Sequence, residues 1–120
     1  MRDYTLFLRD ILAAMASITR FAEGMSFDEL VRDDKTSSAV IRKFEIVGEA
    51  TKNIPISIRE RHPEVPWQRM AGFRDRLIHA YFGIDYKLVW DAIKRDIPRI
   101  EPLLGKILLE IERESRKGHT

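Results

Sequence analysis

Apolar side chains recur three and four residues apart along most of this chain, and no segment alternates apolar with polar residues. Phe7, Ile11, Met15, Ile18 and Ala22 form one such series. Val40, Ile41, Phe44, Val47 and Ala50 form a second, and Ile100, Leu103, Leu104, Ile107, Leu108 and Ile111 form a third. A period of about 3.6 places each series on one face of a helix, whereas a strand needs a period of two. The pattern predicts an all-α protein, an up-and-down bundle of about five helices with no strand.

Breakers and caps divide the bundle. Asp3 is the expected N-cap of a first helix, Tyr4 to Glu23, and Gly24 its stop. Ser26-Phe27-Asp28-Glu29 matches a capping box, so a short helix should begin at Phe27 and run to about Arg32. Thr36, Ser37 and Ser38 offer a cap or a smooth entry into a long helix that ends before Pro55. Pro55, Pro63 and Pro66 make the stretch from Asn53 to Pro66 a connector with a short helix around Ser57 to Arg61. Pro66 suits the opening turn of a third long helix, Trp67 to about Tyr81, with Gly83 as its end. Asp85 should cap a fourth helix through Leu88, Val89, Trp90 and Ile93. Pro98 fits the first turn of a fifth helix, Ile97 to Glu114, which Pro102 would bend. The tail from Arg116 onward is expected to fray.

The 120 residues suffice for a single domain, residues 1–120, with a core that needs no disulfide or metal. An apolar fraction of 44% and a charged fraction of 33% describe an ordered, soluble chain. The absence of cysteine excludes a disulfide scaffold, a thiol nucleophile and cysteine-ligated metal, and fits a reducing cytoplasm. No secretory signal follows Met1-Arg2-Asp3-Tyr4, and the apolar runs are too short to span a bilayer. A cytoplasmic location away from membranes is therefore expected. The net charge of +2 with a pI near 9.0 does not by itself advertise nucleic-acid binding. Local basic clusters such as Arg69, Arg74 and Arg76 are more often solvated helix faces than binding surfaces.

Chemistry concentrates in Arg74-Asp75-Arg76-Leu77-Ile78-His79-Ala80-Tyr81. The glycines form no phosphate-cradling loop, and no nucleophile elbow is present. His62, His79 and His119 are too far apart to make a recognisable metal motif. An arginine grips phosphate with a permanent charge, and histidine titrates near neutral pH. Together they suit RNA cleavage without a metal: His79 moves a proton to or from the ribose 2′-hydroxyl or the leaving oxygen, and Arg74 pins the phosphate. On an ideal helix Arg74 and His79 point about 140° apart, so one straight helix does not bring them together. A loosened helix, a reaching Arg74 or a second copy of the chain would each resolve this.

Asp75 and His79 stand i, i+4, which would let the carboxylate orient the imidazole. Tyr81 could stack on a base or bond the phosphate. The blander reading is that Arg-x4-His is a surface accident and that Tyr81, Trp67 and Trp90 are core aromatics. Glu45 and Glu49 could hold a metal but fit a solvated face better, and Glu49 could instead pair with Arg74 across the bundle.

Several segments together carry a resemblance. Met70-Ala71-Gly72-Phe73-Arg74-Asp75-Arg76-Leu77-Ile78-His79-Ala80-Tyr81-Phe82-Gly83-Ile84-Asp85, followed by Val89-Trp90, resembles the HepT toxin branch of the HEPN superfamily. Ala39 to Ala50, with Gly48-Glu49-Ala50, and Pro63-Glu64-Val65-Pro66-Trp67 also match that family. The resemblance spans residues 4 to 112; Arg-x4-His alone is weak, but the extended Arg-Asp-x3-His-x-Tyr string is specific.

The resemblance implies an all-helical homodimer whose two Arg-x4-His motifs line one cleft. It implies a metal-independent endoribonuclease, with no cofactor, as the toxin of a type VII-like toxin–antitoxin system. Its partners would be RNA and a nucleotidyltransferase antitoxin of the MntA type, which adds AMP to the motif tyrosine. By position, Arg74 and His79 become the catalytic pair, Tyr81 the modification site, and Asp75 a supporting residue, with Glu49 a second support if it reaches Arg74. The alternative is a non-catalytic helical domain that binds a nucleotidyltransferase.

Overall fold

The first apolar series folds as α1, Tyr4–Ala22. The computed structural model describes residues 3–79 and 83–117. Asp3 caps α1 by accepting the Thr5 N–H at 3.0 Å, and Gly24 leaves it with a φ of +74°, a left-handed conformation that glycine adopts without strain. The capping box opens α2, Phe27–Arg32: the Ser26 hydroxyl accepts the Glu29 N–H, and the Glu29 carboxylate accepts the Ser26 N–H. α3, Asp34–Lys52, is capped by Asp33 rather than by Thr36, Ser37 or Ser38. Thr36 donates both its N–H and its hydroxyl to the Asp33 carboxylate, at 2.9 and 2.8 Å, which hold that carboxyl below its ordinary value.

The connector holds α4, Ile56–Arg61. Its Arg59 guanidinium donates to the carbonyls of Ile54, Thr51 and Lys52 at 3.0, 3.1 and 3.1 Å. A cation thereby satisfies the orphan carbonyls at the end of α3.

The expected third long helix is broken. α5 covers Trp67–Ala71 and α6 covers Phe73–Leu77, with Gly72 between them at φ −96° and ψ 9°. The chain then turns extended, and β1 (Ile78–His79) pairs antiparallel with β2 (Gly83–Ile84), Ile78 opposite Ile84 and His79 opposite Gly83. The Asp85 N–H closes the junction on the Leu77 carbonyl at 2.7 Å. Gly83, at φ +76°, therefore opens a strand instead of ending a helix. The expectation of helix as far as Tyr81 fails by Ile78, and Tyr81 itself lies outside the described residues. This two-residue ladder leaves the architecture all-α.

Asp85 does cap α7, Tyr86–Asp91, accepting the Leu88 N–H at 3.1 Å. α8, Ile97–Lys117, begins at Ile97 with Pro98 in its first turn, as expected, but no loop separates it from α7. A π-helical turn, Ala92–Asp96, joins the two helices, and the Ile97 N–H donates to the Ala92 carbonyl five residues back. Pro98 has no N–H for the Lys94 carbonyl and crowds it; the wider turn just upstream accommodates this without ending the helix. Pro102 lies inside α8, which remains helical beyond Glu114 as far as Lys117.

α1 packs along α3 and α8, and α3 also backs α5 and α6. Leu8, Ile11, Met15 and Ile18 of α1 share one buried core with Val40, Phe44 and Val47 of α3 and Ile97, Ile100 and Leu104 of α8. Trp67 is buried, and its indole N–H reaches the His62 carbonyl at 2.9 Å. No helix among the described residues is long and apolar enough to cross a membrane.

Gly48 sets how closely α3 approaches α5. A Cβ there would sit 3.2 Å from the Ala71 carbonyl oxygen and 3.6 Å from that of Met70. Gly48→Leu should therefore lower the unfolding free energy by about 1–3 kcal/mol through overpacking, measured by denaturant titration. Gly48→Ala should be near neutral, because a helix-propensity gain of about 1 kcal/mol offsets the crowding.

Candidate active site

α6 is short, and its two ends are anchored inward. Phe73 and Leu77 stand i, i+4 and are almost fully buried. The Phe73 ring meets Phe44 of α3 edge-on, with centroids 5.2 Å apart and planes at 77°, the arrangement that aromatic quadrupoles favour. With those two residues inside, Arg74 and Asp75 must face solvent, and their side chains are 58% and 79% exposed. Arg74 Nη1 lies 3.5 Å from Asp75 Oδ1. An exposed pair at that distance holds its charges loosely, so the guanidinium can still take up an anion.

The end of α6 at Leu77 removes the geometric objection raised by a straight helix. Arg74 lies in the last turn, its carbonyl accepting the Ile78 N–H, and the His79 backbone belongs to β1. The two residues therefore sit on different elements, one helical and one extended. The same break removes the helical i, i+4 relation expected of Asp75 and His79. The His79 side chain and Tyr81 lie outside the described residues.

Glu49 is not brought to Arg74. Its carboxylate pairs instead with Lys52 at 3.6 Å on the exposed side of α3, and Glu45 pairs with Arg42 at 3.5 Å. Among the described residues no group of three or more histidines and carboxylates is placed to hold a metal ion. Trp67 is a core residue. Trp90 is half-buried, meeting Phe27 edge-on at 6.0 Å while Lys94 Nζ lies 4.7 Å from its ring centroid. Neither indole is an open stacking platform.

Two supports of the α5–α6 segment escaped the reading of the sequence. Gly48 carried a signal, since glycine inside a helix is unfavourable and asks for a packing reason. Arg69 and Asp96, which join α5 to the π-helical turn with Nε and Nη2 at 3.3 and 3.0 Å from Asp96 Oδ2, carried none.

The sequence pattern of the family described as Ribonuclease HepT-like matches residues 11–107. The chain belongs to the HepT-like ribonuclease family. A Methanocaldococcus jannaschii protein whose name proposes an RNase is 44% identical over 98% of this chain and 97% of its own length. A Thermococcus cleftensis protein with the name probable ribonuclease HepT is 44% identical over 88% of this chain and 96% of its own. A longer M. jannaschii protein, named as a gamma-glutamylcyclotransferase and a proposed RNase, is 36% identical over 98% of this chain and 53% of its own length. No solved structure gives a significant match. The HepT-like match encloses every element from α3 through the π-helical turn, and so the whole segment that presents Arg74.

Because the Arg74 side chain is exposed and only loosely paired, Arg74→Ala should change the unfolding free energy by no more than about 0.5 kcal/mol. Thermal and denaturant melts check this, and a larger loss would mark Arg74 as a structural residue.

Proposed function

We propose that this chain is a metal-independent endoribonuclease toxin that cuts RNA with Arg74 and His79. The observation that carries the reading is the placement of Arg74: exposed, and five residues ahead of His79 across the end of a helix, in a chain of the HepT-like family. An arginine kept outward by the burial of its neighbour Phe73 has no role in the core and a donor array that matches phosphate.

In the proposed reaction the ribose 2′-oxygen attacks the adjacent phosphorus and the bond to the 5′-oxygen breaks. His79 removes the proton from the 2′-hydroxyl, and His79 of a second copy returns one to the leaving oxygen. The products are a 2′,3′-cyclic phosphate and a 5′-hydroxyl end. Arg74 offsets the charge that grows on the phosphate oxygens. Self-association into a dimer, with both motifs in one cleft, supplies the second imidazole. Asp75 supports the site by sharing charge with Arg74.

The system it belongs to is of the type VII-like toxin–antitoxin kind, acting in the cytoplasm. A nucleotidyltransferase antitoxin of the MntA type attaches AMP to the Tyr81 hydroxyl, with pyrophosphate leaving ATP. The added phosphate brings negative charge and bulk into the motif that must receive RNA.

Expression of the wild type without its antitoxin should arrest growth and release RNA fragments. Arg74→Ala and His79→Ala should each slow cleavage about 10²- to 10⁴-fold. Cleavage should persist in excess chelator and stop when the 2′-hydroxyl at the scissile position is replaced by hydrogen. Wild-type rates from His79→Ala would overturn the assignment.

A further inference from the structure

Burial of Phe73 turns Arg74 outward; the junction between α5 and α6 then sets where α6 carries it, and the residue at that junction is a glycine. Gly72 has no side chain to restrain the bend, so the angle must be set from outside. On one side α3 passes so near that a Cβ on Gly48 would lie 3.2 Å from the Ala71 carbonyl oxygen. On the other, Arg69 donates from Nε and Nη2 to Asp96 Oδ2 at 3.3 and 3.0 Å. The carboxylate is the sheltered partner: the Asp96 side chain is 17% exposed and that of Arg69 44%. Asp96 is the last residue of the π-helical turn, so the pair fastens α5 to a segment held in the core by Ile93 and Ile97.

We propose that Arg69 and Asp96 are positioning residues for Arg74. Their pairing sets the angle at which α6 leaves α5, and hence the direction of the Arg74 guanidinium. This rests on the reading of Arg74 as the group that grips the scissile phosphate. RNA bound through many phosphates tolerates a small error in one arginine, whereas a transition state that needs that arginine in place does not. Loosening the pair therefore lowers kcat and spares KM, a split that a merely structural ion pair does not produce.

The test compares the full-length wild type with Asp96→Asn and Asp96→Glu. In Asp96→Asn the kcat on a model RNA should fall roughly three- to tenfold with KM and melting temperature unchanged. The amides of Arg76 and Ile78, bonded to the carbonyls of Gly72 and Arg74, should exchange with solvent roughly two- to fivefold faster, while amides of α1 keep their protection. Asp96→Glu, which retains the charge, should restore both readouts toward wild type. Unchanged exchange in α6 of Asp96→Asn overturns the positioning role whether or not RNA is cut, as does a rise in KM at constant kcat. A wild type that cuts no RNA counts against the ribonuclease reading alone, since the exchange measurement still judges the clamp.

Discussion

One edge-on contact between two phenylalanines organises the end of the molecule that presents Arg74. Phe44 belongs to α3 and Phe73 to α6, and both are 1% exposed. α6 is far too short to persist as a helix by itself; it exists because Phe73 and Leu77 are held inside. Burial of a phenylalanine removes enough apolar surface from water to stabilise by about 1.5–3 kcal/mol, ample to orient a single turn. Once Phe73 is fixed inward, the next residue can only face out. The exposure of Arg74 is thus a consequence of packing on its neighbour, and a polar group on the surface depends on an apolar residue beside it.

The remaining supports act on the same short segment from different directions. Gly48 brings the backbone of α3 against the end of α5, and Arg69 ties α5 to Asp96. Asp85 does two jobs at the far end, donating its N–H to the Leu77 carbonyl and capping α7 with its side chain. Between them, a chain that bends at Gly72 and turns extended after Leu77 is held at each change of direction. The π-helical turn belongs to this arrangement, since it keeps α7 and α8 continuous while placing Asp96 opposite Arg69.

Much of the bundle was legible beforehand because it follows from local chemistry. The Asp3 cap, the Gly24 stop, the Ser26–Glu29 box and the Asp85 cap each involve residues within a few positions of one another, and all formed. Membership of the HepT-like family was legible too, through segments far longer than the Arg-x4-His pair. The errors lie where local preference and tertiary contact disagree. The series from Trp67 onward has helical spacing, yet Gly72 and the pairing of Ile78 with Ile84 divide it. Pro98 does lie in the first turn of α8, yet the core held by Ile93, Ile97 and Ile100 joins that helix to α7 through a widened turn where the sequence suggested a gap. Glu49, by contrast, lies on the solvated face that its sequence context favours, where it joins Lys52 rather than Arg74.

The sequence by itself determined the fold class, most of the helix caps and the family, because periodicity, capping and segment order are properties of neighbours along the chain. Only the tertiary structure decided which way Arg74 faces and what braces the junction of α5 and α6 beneath it. Those depend on contacts between residues tens of positions apart: Phe44 with Phe73, Gly48 with Ala71, Arg69 with Asp96. Such contacts leave no periodic trace, since each is a single meeting of surfaces fixed by how whole helices pack.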